Sequence, residues 1–212
     1  MQTAEHEIAT PLSTAVGPRR RRLAVLGGGT DGNERLTSLL GAILIVLLAA
    51  LGITILRIRQ LIWPHLFLGL LLLGPVTVKM ASTGYRFMRY YTHNREYRSK
   101  GPPELVLRMI APLVVVTTVI VFVSGILLLA EGPSSRNQLL PIHKVSFIVW
   151  GVFTGLHVLG HLPRTLRALR GARSDTSPGA TGRWIALAGA VVAGLILAIV
   201  LIPQFGPWTA QG

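Results

Sequence analysis

The chain has 212 residues, half of them hydrophobic, and carries a net charge of +13 with no cysteine. The lack of cysteine excludes disulfides, thiolate-bound metals, cysteine-ligated iron–sulfur clusters and covalently attached c-type haem. Several apolar runs reach about twenty residues, the length that a helix needs to cross a hydrocarbon core of ~30 Å. We therefore expect an all-α polytopic membrane bundle in the lipid bilayer. The basic residues lie beside the spans, as the positive-inside rule requires, and this argues against nucleic-acid binding.

Residues 1–35 are mostly polar and basic, and we predict that they form a disordered cytoplasmic arm. A transmembrane bundle over 36–203 follows, and residues 204–212 form a short external tail. Its five predicted spans lie near 36–56, 61–85, 105–130, 139–163 and 184–203. The most basic segments are the arm and the links after the second and fourth spans. The positive-inside rule thus predicts a cytoplasmic N-terminus and an external C-terminus, with spans two and four parallel.

Ionisable side chains inside the spans are few. All eight acidic residues lie outside the apolar centres of the spans, which counts against a proton pump or a cation transporter. The remaining set is His65 and Lys79 in span two, and His143, His157 and His161 in span four. An ionisable residue inside a membrane is by default a functional-site hypothesis.

The spacing of these residues arranges them in pairs. His65 and Lys79 are fourteen residues apart, and so are His143 and His157. Fourteen residues leave two side chains about 40° apart around a helix, so each pair shares one face. From the estimated span centres, His65 and His143 both lie about 12 Å toward the outside. Lys79 and His157 both lie about 9 Å toward the inside, so parallel helices offer paired nitrogen ligands at two depths.

Haem b is the cofactor that this pattern predicts, since neutral imidazole is a common iron ligand and a helical bundle is a common cofactor site. The four-helix core would hold one haem between His65 and His143. A second haem at the level of His157 stays open, because Lys79 can ligate iron only when deprotonated. The ordinary roles of such a lysine are to snorkel toward headgroups or to pair with an anion.

Structural roles for the same residues also stay open. His65 and His143 lie near the membrane interface, where a histidine can simply hydrogen-bond to headgroups or loops. Glycines on the two helices could give a macrocycle room, but glycine in a membrane helix more often serves helix packing. These glycines are Gly69, Gly74, Gly151, Gly155 and Gly160.

A haem-free membrane protein is the second hypothesis, with the histidines in helix packing or in a metal site of a transporter or structural subunit. A divalent metal would favour His157 and His161, because histidines at i and i+4 on a helix can share one ion. That pair normally recruits a carboxylate or a third histidine, and the spans offer no carboxylate.

A histidine at the start of one span, and the pattern HKxSFxxWxxFTxLHVLGH in another, resemble small bacterial membrane proteins related to the b-type cytochromes. These include cytochrome b561 and the cytochrome b subunits of hydrogenase and formate dehydrogenase. The stretch KMASTGYRFMRYYTHNREYRSKGPP is similar to a block in actinobacterial membrane proteins of this kind. The resemblance covers roughly residues 36–165.

The resemblance implies a haem held by histidines of two helices, here His65, His143 and His157, in the cell membrane of a bacterium. Lys79 departs from the family pattern, because a second complete haem site would be expected to carry a histidine at this position. The implied role is an electron-transfer subunit rather than a stand-alone enzyme. It would carry electrons between a quinol or a redox partner subunit and an acceptor.

Overall fold

The computed structural model describes residues 29–92, 105–172 and 179–210, and these residues are helical with no strand. The five long helices are α1 (Gly29–Leu56), α2 (Ile62–Tyr91), α3 (Leu105–Glu131), α4 (Arg136–Ala172) and α5 (Ala180–Val200). A 3-10 turn, Pro133–Ser135, joins α3 to α4. The described chain ends in a second 3-10 turn, Ile202–Phe205, and a one-turn helix α6, Gly206–Thr209. The all-α prediction is confirmed.

Each long helix contains a segment that is long and apolar enough to cross a membrane. These segments are Gly29–Leu56, Ile62–Tyr91, Val106–Glu131, Pro133–Pro163 and Ala180–Val200. Large apolar side chains are exposed along the outward faces of all five helices, as expected where the surrounding solvent is lipid. The chain is therefore a multi-pass membrane protein with five candidate spans.

Several helices extend beyond the predicted spans. Helix α1 begins at Gly29 rather than near 36, with Asp31 in its first turn, where a carboxylate complements the positive end of the helix dipole. Helices α2 and α4 continue into the basic links and end at Tyr91 and Ala172. Residues 29–35, which we predicted to be part of a disordered arm, thus belong to α1. The rest of the predicted arm, residues 1–28, lies outside the described residues.

Four of the helices form a ring in which α2 and α4 are diagonal to each other. Helix α1 packs against α2 and α4, and α3 packs closely against α4. Slight contact between α2 and α3 closes the ring, while α2 and α4 have little or no close contact along their described residues. The faces of α2 and α4 that carry the predicted ligands are therefore separated by the middle of the bundle.

Helix α5 lies outside this ring, against α2, and glycines make the close approach. A Cβ atom on Gly74 would overlap the carbonyl of Ala190, and one on Gly194 would overlap the carbonyl of Leu71. Small residues that let two backbones touch are a common means of packing helices in membranes. Gly74 therefore has the ordinary packing role.

The chain after α5 folds back onto the bundle. Phe205 is only 1% exposed and packs with Leu70 and Leu129, and its ring meets Trp63 edge to face at 5.8 Å. This segment fills the gap between α2 and α3 at the end of the bundle where His65 lies. Within the tail predicted at 204–212, Phe205 is thus buried against the bundle, while most of the other described residues in 204–210 are exposed.

Candidate functional site

The bundle brings together the residues that the spacing pairs. His65 on α2 lies close enough to His143 on α4 to interact with it electrostatically, and Lys79 lies equally within range of His157. Along α2, His65 comes before Lys79, and along α4 their partners His143 and His157 follow in the same order. The two helices therefore run in the same direction. We refer to the two ends of the bundle as the His65 end and the Lys79 end.

His65 is held by a hydroxyl of the neighbouring helix. Thr54 of α1 lies with its Oγ1 2.9 Å from Nδ1 of His65. The Thr54 hydroxyl also donates to the carbonyl of Leu51 at 2.5 Å. A hydroxyl has one proton, and if that proton goes to Leu51, the ring must donate its Nδ1–H to Thr54. This assignment of the ring proton follows from the hydrogen-bond network.

His143 has the same arrangement on the opposite side of the bundle. The Oγ of Ser124, on α3, lies 3.0 Å from Nδ1 of His143 and donates to the carbonyl of Val121 at 3.0 Å. The ring of His143 therefore also donates Nδ1–H. Next to Ser124, a Cβ on Gly125 would lie 3.1 Å from Cε1 of His143. The glycine thus lets the ring lie against the backbone of α3.

These contacts leave the other ring nitrogen of both histidines available. In the assigned tautomer Nε2 carries a lone pair, and the contacts to Thr54 and Ser124 involve only Nδ1. Metal-binding histidines almost always donate their second ring N–H to a neighbouring acceptor, which fixes the tautomer and the ring orientation. His65 and His143 thus share one arrangement, in which Nδ1 contacts a hydroxyl of the neighbouring helix.

Lys79 is directed toward α1. Its Nζ donates to the carbonyl of Thr37 at 2.5 Å and lies 3.2 Å from the position that a Cβ on Gly41 would occupy. Nearby, Ser82 bonds to the hydroxyl of Thr37 at 3.0 Å and accepts from Asn33 through its carbonyl at 3.2 Å. The amino group therefore belongs to a polar contact between α1 and α2.

His157 and His161 lie on one side of α4, with ring centroids 4.6 Å apart and planes tilted by 56°. Nδ1 of His157 and Oγ1 of Thr154 are both buried, and neither has a hydrogen-bond partner in the part of the chain that the structure describes. No group of three His, Asp or Glu side chains within 29–92, 105–172 and 179–210 could hold a metal ion. Within these ranges the two histidines thus have no third ligand of the kind that a divalent metal site normally needs.

The remaining predicted glycines differ in their surroundings. A Cβ on Gly69, Gly151 or Gly155 would meet nothing within 4 Å, whereas one on Gly160 would run into the side chain of Leu107. Gly69 follows His65 by one turn of α2, so the open space beside it lies on the face that carries the histidine.

The sequence prediction did not include Thr54, Ser124 or Gly125. The sequence does contain a signal for the two hydroxyl residues. Each precedes a short turn between helices by about as many residues as its histidine follows that turn. In an antiparallel helix pair such mirror positions face each other.

No family model, curated protein or solved structure matches the chain. The resemblance to b-type cytochromes therefore depends on the motifs alone. The function is inferred from the chemistry of the two histidine levels.

Proposed function

We propose that the chain is a membrane b-type cytochrome that holds one haem b between His65 of α2 and His143 of α4. The observation that carries the proposal is the matched support of the two rings. Each donates Nδ1–H to a hydroxyl of its neighbouring helix, Thr54 or Ser124. Such support leaves Nε2 for iron and raises its basicity as a ligand.

The donor set and its surroundings fit a haem. His65 and His143 would hold the haem iron through two neutral imidazoles, a ligand type that the chain offers in place of the cysteine it lacks. Helices α2 and α4 are diagonal, with little or no close contact, and Gly69 offers open space one turn from His65. A haem so held supplies one-electron transfer, and two protein ligands favour an electron carrier over an enzyme.

The chain's own residues would orient and isolate this centre. Thr54 and Ser124 fix the ligand rings, and Phe205 packs between α2 and α3 at the same end. The described residues form almost only membrane helices. Electrons would therefore come from and go to a membrane-soluble quinol or a partner subunit.

A second haem is not part of the proposal. Nζ of Lys79 donates a hydrogen bond to the carbonyl of Thr37 on α1. His157 and His161 lie on one side of a single helix, so they cannot take opposite faces of one porphyrin. The level of His157 thus lacks a well-placed second ligand.

For orientation we propose a cytoplasmic N-terminus in the cell membrane of a bacterium. The Lys79 end then faces the cytoplasm, because it carries more basic side chains than the His65 end. At the Lys79 end these are Arg35, Arg86, Arg89, Arg108, Arg167, Arg170 and Arg183. At the His65 end they are Arg57, Arg59, Arg136 and Lys144.

The test is the visible spectrum of the protein purified in detergent from haem-replete cells, first oxidised and then reduced with dithionite. We expect a sharp α-band of b type in the reduced protein. His65→Phe and His143→Phe should each abolish this band, because each removes one axial ligand. His157→Phe is the matched control, a membrane histidine of the same helix, and should retain it. A colourless but folded wild-type protein would overturn the proposal.

A further inference from the structure

We propose that Arg57 and Arg136 hold the two propionate carboxylates of the haem, one from each helical hairpin, at the His65 end of the bundle. The inference rests on the proposed haem between His65 and His143. It goes beyond that proposal because it assigns the groups that neutralise and orient the cofactor. Haem b carries two carboxylates on one edge of its macrocycle, and the two neutral imidazoles supply no charge to balance them.

Both short turns at the His65 end carry arginine. The turn 57–60 between α1 and α2 reads RIRQ, and Arg136 directly follows the 3-10 turn between α3 and α4. In the proposed orientation this end faces outward, where the positive-inside rule disfavours arginine. Among the described residues of this end, the only acidic one is Glu131. The positive charge here is thus an exception that favours an anionic partner from outside the chain.

Arg57 lies beside the group that supports His65. It follows α1 directly and comes three residues after Thr54, and residues three apart are neighbours on one face of a helix. Thr54 contacts Nδ1 of His65, so the backbone of Arg57 lies about 4.5 Å beyond that level, toward the end of the bundle. The carbonyl of Arg57 accepts from the N–H groups of Gln60 and Leu61 at 3.0 and 2.9 Å. The arginine therefore starts from an anchored turn next to one ligand.

Arg136 lies on the same face of α4 as His143. It is the first residue of α4 and precedes His143 by seven residues. Seven residues are about two turns, so the two positions differ by about 20° around the helix and about 10.5 Å along it. Arg136 and Arg57 accordingly lie on the same side of the ligand level, one on each hairpin. The two propionates of a haem likewise lie on one side of its iron.

The chemistry of the two arginines suits a carboxylate. Both side chains are exposed, and no carboxylate among the described residues forms an ion pair with Arg57 or Arg136. A guanidinium group presents a planar fork of N–H donors that matches a carboxylate in a bidentate manner. Pairing with the propionates would give each carboxylate charge-assisted hydrogen bonds and would favour the orientation of the macrocycle in which its propionate edge faces this end.

Two other basic residues at this end serve as matched controls. Arg59 lies two residues beyond Arg57, between α1 and α2, and Lys144 directly follows His143, about 100° around α4 from it. Both side chains are exposed. They carry the same charge at the same end of the bundle, but neither shares a helix face with a ligand or with its support.

The test compares haem b with its dimethyl ester, in which both carboxylates are uncharged. Each is added to the full-length protein in detergent after extraction of its haem, and binding is followed at the Soret band. We expect the wild type to bind haem b roughly tenfold more tightly than the ester, since two exposed ion pairs contribute about threefold each. Arg57→Gln and Arg136→Gln should each weaken the binding of haem b roughly threefold and leave that of the ester unchanged.

The control variants separate the proposed contacts from general charge and from folding. Arg59→Gln and Lys144→Gln should keep the preference of the wild type for haem b. The double variant Arg57→Lys with Arg136→Lys keeps both charges and should retain most of the preference, whereas Arg57→Gln with Arg136→Gln should bind haem b and the ester alike.

The outcomes distinguish this inference from the haem site on which it rests. Uptake of neither haem b nor the ester by the wild type would contradict the haem site and, with it, the propionate contacts. Haem binding without preference over the ester would overturn the propionate contacts alone. So would a preference that persists in the double glutamine variant, or one that falls equally in the Arg59 and Lys144 variants.

Discussion

Oγ1 of Thr54 lies 2.9 Å from Nδ1 of His65, across the hairpin that joins α1 to α2. Ser124 and His143 form the same contact across the hairpin that joins α3 to α4, at 3.0 Å. The ligand-bearing helices α2 and α4 have little or no close contact, so each ring is oriented by its hairpin partner. The proposed haem site thus depends on all four helices of the ring.

Replacing Thr54 by valine should weaken haem binding without abolishing it. Valine keeps the shape of the side chain but leaves Nδ1–H of His65 without an acceptor, and loss of such support typically lowers metal affinity about 10- to 100-fold. The measurement is a haem titration of the purified apoprotein, followed at the Soret band. Thr77→Val, which removes an exposed hydroxyl bonded only to Leu73, should titrate like the wild type. Equal affinities for the Thr54 and Thr77 variants would contradict this role.

Replacing Ser124 by alanine should weaken haem binding to a similar degree, because it removes the acceptor for Nδ1–H of His143. A suitable control is Ser146→Ala, which removes a buried hydroxyl that bonds to the carbonyl of His143 but not to its ring. The double variant Thr54→Val with Ser124→Ala should bind haem more weakly than either single variant, and its departure from the product of the single effects measures the coupling of the two rings through the shared iron. Retention of full affinity in the double variant would show that the hydroxyls do not hold the ligands.

The positions of these hydroxyls follow from the helical hairpins. The midpoint of Thr54 and His65 is position 59.5, within the turn 57–60, and that of Ser124 and His143 is 133.5, within Pro133–Ser135. Residues equally distant from a tight turn face each other in an antiparallel pair, so the sequence contains this information. Two further pairs obey the same rule: Thr37 with Ser82, and Thr118 with Trp150.

The lateral order of the helices could not be read from the sequence in the same way. The two short turns define which helices form hairpins, and the spacing of fourteen residues pairs His65 with His143 and Lys79 with His157. A pattern of small residues does not specify which helix packs against it, because any other helix with a small residue can approach it closely. That Gly74 meets α5 rather than a cofactor is therefore visible only in the structure.

Replacing Gly194 by alanine should destabilise the fold through the α2–α5 contact. The new Cβ would overlap the carbonyl of Leu71, and forcing extra volume into a close-packed contact costs about 1–3 kcal/mol. Gly189→Ala on the same helix is the matched control, because a Cβ there meets nothing within 4 Å. Thermal unfolding in detergent should show a lower midpoint for Gly194→Ala only. Equal midpoints for the two variants would contradict the close backbone contact.

Haem content should be one per chain, and it should not depend on Lys79. The Lys79 amino group donates to the carbonyl of Thr37, so Lys79→Met removes no iron ligand. The measurement is the ratio of haem to protein in wild type, Lys79→Met and His157→Phe, each purified from haem-replete cells. A ratio of two in the wild type that falls to one in both variants would instead establish a second haem at the level of His157.

The most direct test of the central claim is the electron paramagnetic resonance spectrum of the oxidised, purified wild-type protein. If Nε2 of His65 and Nε2 of His143 both bind one iron, the ferric haem has two axial imidazoles and gives a low-spin signal. That signal should disappear in both His65→Phe and His143→Phe. A high-spin signal in the wild type, or a low-spin signal that survives either replacement, would contradict ligation by this pair of histidines.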